Sequence, residues 1–220
     1  MYIDSLIFLL AFGLTIGAQV LVNQRYKHYG SIKTKKGVVG SDIAREVLTK
    51  NDLSEIYVVK TGGVLSDHFD PSNNVIRLSS DNYDSDSIAA LAVSLHEVGH
   101  ALQHKEGNLF LKIRSMLIPV VNLATRLSYL VIIIGIILSL IQVFYIGVAL
   151  FGIILLFQLV TLPVEFDASK KALNILEDGN YLDKEELGGA KKVLNAAALT
   201  YVASLTVTVL EMVRLLGRRK

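Results

Sequence analysis

One long apolar run in the second half of the chain limits what the protein can fold into. Between residues 116 and 163 the only formally charged side chain is that of Arg126. One membrane-spanning helix needs about 20 apolar residues, so this run is long enough for two. We therefore expect a pair of spanning helices near residues 117–142 and 144–163, joined by a tight turn around residues 142–147. Arg126 lies early in the first helix, where its side chain can reach the cytoplasmic interface, and we interpret it as structural.

A second apolar block lies at the N-terminus, from about Ile3 to Val22, and is long enough to cross a membrane once. The chain starts Met-Tyr-Ile-Asp, with an acidic residue where a signal peptide would carry basic ones. We therefore expect an uncleaved anchor. Basic residues follow this block and none precedes it, which predicts an external N-terminus and a cytoplasmic location from residue 25 onward. These basic residues are Arg25, Lys27, Lys33, Lys35 and Lys36.

A third apolar block, residues 193–210, carries scattered polar side chains such as Asn195 and Ser204. The block could span the membrane or pack against the helical hairpin. A fourth span would place Arg218, Arg219 and Lys220 outside, against the positive-inside tendency, so three and four spans both stay open.

The segment between the first two apolar blocks has the pattern of a small soluble domain. A helix is expected from Ser41-Asp42, which can cap it, to about Lys50. Three short β-rich runs then surround a turn-forming segment, Asp70 to Asn74, and predict a small antiparallel sheet. The predicted strands are Ile56–Val59, one starting at Val64-Leu65, and Val75–Leu78.

The residues with the clearest chemical meaning are His96, Glu97 and His100, which form an H-E-x-x-H pattern after a stretch of strong helix formers. On a helix the two histidines lie about 40° apart around the axis and one turn apart along it, so both can bind one zinc ion. Glu97 then stands beside the metal as a candidate general base for water. The chain has 5 histidines. Three of these lie within residues 94–104, a clustering that argues against a chance match.

Composition excludes several other kinds of site. The chain has no cysteine, so a zinc site must use histidine and carboxylate ligands, and disulfides and cysteine nucleophiles are excluded. The net charge of +2 is weak, and the basic residues are scattered around apolar blocks. We therefore expect a lipid bilayer and no nucleic acid among the partners.

A catalytic zinc ion needs a third protein ligand. His104 lies roughly 6 Å further along the helix axis than His100, which is too far to complete a tetrahedron. Two spans between residues 117 and 163 return the chain to the side of the membrane that holds the histidines, and Glu165 is the first carboxylate to emerge there. We favour Glu165, with Asp167, Asp178 and His104 as the alternatives.

Four segments of the chain resemble the YugP-like membrane zinc metallopeptidases, which are gluzincin-like and distant relatives of the HtpX-type membrane proteases. The resemblance covers most of the chain. It rests on Ser66 to Pro71, Ser94 to His104 (SLHEVGHALQH), Leu162 to Ala168 (LPVEFDA) and Leu194 to Val202.

The resemblance implies a membrane-anchored zinc endopeptidase with one zinc ion per chain, held by His96, His100 and Glu165. It further implies that a peptide substrate pairs with one strand of the hairpin at residues 64–78, and it suggests a role in quality control of misfolded membrane proteins. Ser169 stands where the wider E-x-x-A-D pattern has an aspartate, so we expect Asp167, rather than Ser169, to orient a histidine.

A second group that stabilises the oxyanion of the transition state is also expected. The candidates are His68, Asn195 and Tyr201. His68 could instead bond to Asp67 or Asp70 within its own turn.

Two other functions remain as alternatives. A zinc-stabilised membrane scaffold would bind the metal without any activity that depends on Glu97, although a structural site has no need of a general base. A site-2-type intramembrane protease would need the histidines at membrane depth, whereas Gln103 to Glu106 is polar, and its Asn-Pro-Asp-Gly motif is missing around Asp178.

The sequence thus predicts a mainly helical α+β membrane protein with three to four transmembrane helices, a small antiparallel sheet and a zincin-like H-E-x-x-H helix. We expect a multi-pass protein of the plasma membrane with a cytoplasmic catalytic domain. The predicted segments are an anchor (1–24), a zincin-like catalytic region (25–115), a transmembrane hairpin (116–164), a third-ligand segment (165–192) and a C-terminal apolar helix (193–220).

Overall fold

The computed structural model describes the backbone of residues 2–217 and the side chains of residues 6–217. The predicted basic C-terminus, Arg218 to Lys220, lies outside the described residues. The fold is mainly helical. Its helices are α1 (Tyr2–Gly30), α2 (Gly40–Lys50), α3 (Ser80–Tyr83), α4 (Ile88–Lys105), α5 (Leu109–Ile137), α6 (Ile141–Asp178) and α7 (Lys184–Gly217), and its strands are β1 (Tyr57–Thr61), β2 (His68–Asp70) and β3 (Val75–Ser79).

Four helices of the described chain are long and apolar enough to cross a membrane, namely α1 from Leu6 onward, α5, α6 and α7. This number is the upper end of the three to four spans expected from the sequence. Helix α7 includes the whole block at 193–210, so that block belongs to a helix of membrane-spanning length.

Contacts divide the chain into two compact units. The first unit contains residues 1–19, 109–163 and 199–220, and the second contains residues 20–108 and 164–198. In the first unit, Leu215 and Met212 near the end of α7 pack with Ile132 of α5 and Phe151 of α6. The C-terminal part of α7 therefore packs against the α5–α6 hairpin.

The turn of this hairpin lies at residues 138–140 rather than at the predicted residues 142–147. Ser139 makes the turn with a left-handed φ of 56°. Gly147, where the turn was expected, is instead inside α6, and a Cβ there would lie 2.7 Å from the backbone nitrogen of Ile132. The glycine thus serves close helix packing, and the chain reverses at a single serine between two leucines, which is a weaker turn signal than glycine.

Helix α6 also differs from the prediction, because it continues through Pro163 to Asp178 instead of ending at residue 163. Proline lacks a backbone N–H, but it is tolerated inside membrane helices. The residues just after Pro163, including Glu165, are therefore helical rather than part of a loop.

The sheet of the second unit has the order β1-β3-β2. Strand β3 pairs in parallel with β1 and antiparallel with β2, so the prediction of an antiparallel sheet was wrong and the sheet is mixed. The second strand starts at His68, because Leu65 adopts a left-handed φ of 54° that a strand cannot contain. The chain then places β2 on the far side of β3, which makes β2 an edge strand.

Helix α4 runs through the core of the second unit. Ser87 caps its N-terminus, since the Ser87 Oγ accepts a hydrogen bond of 3.1 Å from the backbone N–H of Ala90. Leu91 and Leu95 of α4 are fully buried in a cluster that includes Ile43 of α2 and Ile76 of β3. Burial on this side fixes the rotation of α4 and therefore the direction in which its histidines point.

Candidate metal centre

Two helices of the second unit bring His96, His100 and Glu165 together. His96 and His100 lie one turn apart on α4, and Glu165 lies on α6. The Oε2 atom of Glu165 is 3.3 Å from Nε2 of His96 and 3.8 Å from Nε2 of His100. Within the described part of the chain, this is the one group of three such side chains whose ligand atoms all lie within 4.8 Å of one another.

The donor set fits a zinc ion. Zinc binds histidine nitrogen and carboxylate oxygen at about 2.0–2.2 Å in a tetrahedral arrangement, which separates neighbouring ligand atoms by about 3.3 Å. The observed separations of 3.3 and 3.8 Å are close to this value. Glu165 is only 3% exposed, and a buried carboxylate needs positive charge or hydrogen bonds around it. Two histidines and a glutamate would fill three positions and leave a fourth open, as in catalytic zinc sites.

A glycine makes this meeting of helices possible. A Cβ atom on Gly99 would lie 2.7 Å from the carbonyl oxygen and 3.1 Å from the Cα of Ala168, so α4 and α6 are in backbone contact here. Gly99 immediately precedes His100, and Ala168 follows Glu165 by three residues. This close approach of the two helices therefore lies beside the three candidate ligands.

The Nδ1 atom of each histidine ring lies within hydrogen-bond distance of a polar side chain. Nδ1 of His96 lies 3.2 Å from the hydroxyl of Ser169, and Nδ1 of His100 lies 3.0 Å from Oε1 of Gln103. Contacts of this kind orient the rings of metal-binding histidines and direct the opposite nitrogen, Nε2, toward the metal position.

Acidic side chains near the histidines influence the pKa of His100. Burial alone would lower the pKa of His100, but its hydrogen bond with Glu165 and the nearby charge of Glu97 together raise it. Glu97 is itself buried, with 7% of its surface exposed. The site therefore places an additional carboxylate beside the candidate ligands.

Ser169 and Asp167 both lie in the hydrogen-bond network around the histidines, by different routes. Ser169 contacts a histidine directly, as described above, whereas Asp167 accepts a hydrogen bond of 2.8 Å from Nε2 of Gln103 and reaches His100 only through that side chain. A serine one turn after Glu165 lies on the same face of α6 as Glu165, which is why it meets His96.

The three candidate oxyanion groups lie on different elements. His68 is exposed on edge strand β2, and its Nδ1 is 2.8 Å from the carbonyl oxygen of Ser66 rather than near Asp67 or Asp70. Asn195 is exposed on α7 in the second unit. Tyr201 lies on α7 in the first unit, where it lines a cavity of about 360 Å³ with Gln158 and Ser204. Their participation in catalysis stays a prediction.

Two of the alternative third ligands lie away from this group. His104 is exposed, and its ring packs edge-on against Phe69, with 5.9 Å between ring centroids. Asp178 is exposed at the C-terminal end of α6. Sequence reasoning missed Gln103, although its position three residues after His100 was a signal that it shares a helix face with that histidine.

A family model and a curated relative each match most of the chain. The family model described as "Putative neutral zinc metallopeptidase" matches residues 5–220. A curated relative described as "Putative membrane protease YugP", from Bacillus subtilis (strain 168), is 40% identical over 204 residues, which cover 93% of this chain and 91% of the relative. No solved structure gave a significant match.

Proposed function

The chain belongs to the family of neutral zinc metallopeptidases, and from this premise we propose that it is a membrane-anchored zinc endopeptidase. The observation that carries the proposal is the convergence of His96, His100 and Glu165 from two helices on one point. We assign these three side chains as the ligands of one zinc ion per chain. The relative's description as a membrane protease and the four apolar helices support the membrane-bound form of the enzyme.

The proposed reaction is hydrolysis of a peptide bond. A zinc ion at this site would polarise the scissile carbonyl and lower the pKa of water to about 7. Glu97 is the general base: its buried carboxylate takes the proton from the attacking water and later delivers it to the leaving amine. A second oxyanion donor, for which His68, Asn195 and Tyr201 are the candidates, would complete the site.

The substrates in this proposal are extended protein or peptide segments, including those of misfolded membrane proteins. Strand β2 supports this substrate class, because it is an edge strand whose Phe69 packs on His104 of the metal-binding helix α4. A substrate segment could add to the free edge of β2 and gain main-chain hydrogen bonds there. The quality-control role rests on the resemblance to the HtpX-type proteases.

We extend the proposal to location in the plasma membrane with the catalytic unit in the cytoplasm. The support is the distribution of basic residues, which lie in the C-terminal turns of α1 and just after it and are absent from its apolar N-terminal part.

A comparison of metal content and cleavage in Glu97→Gln tests the proposed mechanism. The full-length protein in detergent is incubated with fluorescein-labelled casein, and bound zinc is measured on the same sample. We expect the Glu97→Gln variant to keep its zinc and lose at least 100-fold in cleavage rate, since general-base catalysis contributes about 10²–10⁴-fold. Glu55→Gln is the matched control, because Glu55 is exposed before strand β1.

Two results would contradict the mechanism. Cleavage by Glu97→Gln at the native rate would show that Glu97 is not the general base. Bound zinc without cleavage by either the native chain or the variant, on casein and on membrane-protein substrates, would favour a zinc-stabilised scaffold.

A further inference from the structure

The side chain of Gln103 forms a buried bridge between the two metal-binding helices. Gln103 is fully buried on α4, one turn after His100. Its Oε1 lies 3.0 Å from Nδ1 of His100, and its Nε2 donates hydrogen bonds of 2.8 Å both to the carbonyl oxygen of Val164 and to the carboxylate of Asp167. One amide therefore contacts a candidate ligand on α4 and two acceptors on α6.

The two acceptors fix the orientation of this amide. A backbone carbonyl can only accept hydrogen bonds, so the group that faces Val164 must be the NH₂ end of Gln103, and the same end faces Asp167. The opposite orientation would bring the amide oxygen within 2.8 Å of the oxygens of Val164 and Asp167. Such a contact would place the amide oxygen against two acceptor oxygens with no proton between them.

The orientation of the amide in turn fixes the tautomer of His100. Because Oε1 of Gln103 can only accept, Nδ1 of His100 must carry the proton in this contact. In the neutral imidazole, Nε2 then keeps its lone pair, and this is the nitrogen that lies 3.8 Å from Glu165. His96 differs, because its Nδ1 meets the Ser169 hydroxyl, which can donate or accept.

We propose that Gln103 and Asp167 act as a positioning pair that holds His100 in the tautomer required of a metal ligand. Asp167 orients the amide of Gln103, and Gln103 orients and polarises the His100 ring. The pair also joins α4 to α6 beside the site, since both acceptors of the amide belong to α6. The inference rests on the proposed metal site but does not depend on proteolysis.

The expected loss of zinc affinity can be taken from other metal sites. Loss of a partner that orients a metal-binding histidine typically weakens metal affinity by about 10- to 100-fold. A residue that only filled space would affect folding without this selective loss of metal binding.

Three variants test the pair in the full-length chain. Gln103→Met keeps the length of the side chain and removes all three hydrogen bonds. Asp167→Ala removes one acceptor and leaves Val164 to hold the amide. The third variant combines both changes. Gln142→Met is the matched control, because Gln142 is exposed on α6 and belongs to the other unit.

The measurement is the dissociation constant for zinc, obtained by competition with a chelator in detergent, together with thermal unfolding of the metal-free proteins. We expect binding to weaken about 10- to 100-fold in Gln103→Met, and by a smaller factor in Asp167→Ala. The double variant should bind no more weakly than Gln103→Met, because residues that act as a unit are not additive. Binding by Gln103→Met within twofold of the native value, or a double variant that shows the product of the two single losses, would overturn the proposal.

A spectroscopic measurement on the native chain keeps the test independent of variant folding. In zinc-loaded protein labelled with ¹⁵N-histidine, we expect Nδ1 of His100 to carry a proton and Nε2 to show the shift of a metal-bound nitrogen. An unprotonated Nδ1 at His100 would overturn the inference. A native chain that binds no zinc would instead refute the proposed function, so the two failures can be told apart.

Discussion

Gly99 and Ala168 are in backbone contact across helices α4 and α6. A Cβ atom at Gly99 would lie 2.7 Å from the Ala168 carbonyl oxygen, closer than real Cβ contacts occur. Because the obstructing atoms belong to the backbone, no rotation of a side chain can relieve the clash. The distance between the helices that carry the candidate ligands is therefore set by the absence of a side chain at residue 99.

Gly99→Ala should push the two helices apart and impair the metal site. We expect a loss of about 1–3 kcal/mol in the free energy of unfolding, the usual cost of overpacking, together with clearly weaker zinc binding. Gly188→Ala is the control, because Gly188 lies in α7 and a Cβ atom added there would meet no atom within 4 Å. The control should be neutral or slightly stabilising, by up to about 1 kcal/mol. Native zinc affinity in Gly99→Ala would show that zinc binding does not need the close approach of α4 and α6.

Ser169→Ala should weaken zinc binding less than loss of a ligand does. The change removes a hydroxyl 3.2 Å from Nδ1 of His96 and leaves the backbone of α6 unchanged. We expect a loss in zinc affinity of about 10-fold, the lower end of the range for partners that orient ligands. Chelator competition measures the loss. An affinity equal to that of the native chain would mean that packing alone orients His96.

The turn around Asp70 should make the second unit sensitive to acid. Hydrogen bonds from Asn73 and Arg77 lower the pKa of Asp70 from its ordinary value of 3.8 to about 2. Because the pKa is lower in the folded state, the contribution of Asp70 to stability is fully present above pH 4 and is lost as the pH falls through the folded value near 2. Ionised Asp70 also accepts hydrogen bonds from the backbone N–H groups of Ser72 and Asn73, which shape the turn before β3.

Unfolding of the native chain and of Asp70→Asn between pH 2 and pH 6 tests this prediction. The native chain should lose more stability on acidification than the variant, and the difference between the two should shrink toward pH 2. A difference that is independent of pH would show that the charge of Asp70 does not contribute.

The sequence could predict those features that depend on local spacing. Two histidines at i and i+4 lie on one helix face whatever surrounds the helix. The choice of Glu165 as candidate third ligand came from topology, because an apolar hairpin returns the chain to the side of the membrane from which it entered. Long apolar helices were predictable for the same reason, because their length and composition are properties of the sequence itself, whereas their number stayed open at three or four.

The features that the sequence could not predict depend on contacts between distant segments. Gln103 meets Asp167 only because α4 and α6 touch at Gly99, and no local pattern encodes that contact. The mixed sheet depends on which side of β3 receives β2, and this pairing between separate segments is not encoded by strand propensity.

The proposed zinc site depends most directly on Glu165, which would complete it from the second helix, α6. The decisive measurement is the amount of zinc bound per chain in detergent-purified protein, for the native sequence, for Glu165→Ala and for the control Asp178→Ala. We expect about one zinc ion per chain in the native protein and the control, and a marked loss in Glu165→Ala. A native zinc content in Glu165→Ala would contradict the assignment of Glu165 as a zinc ligand.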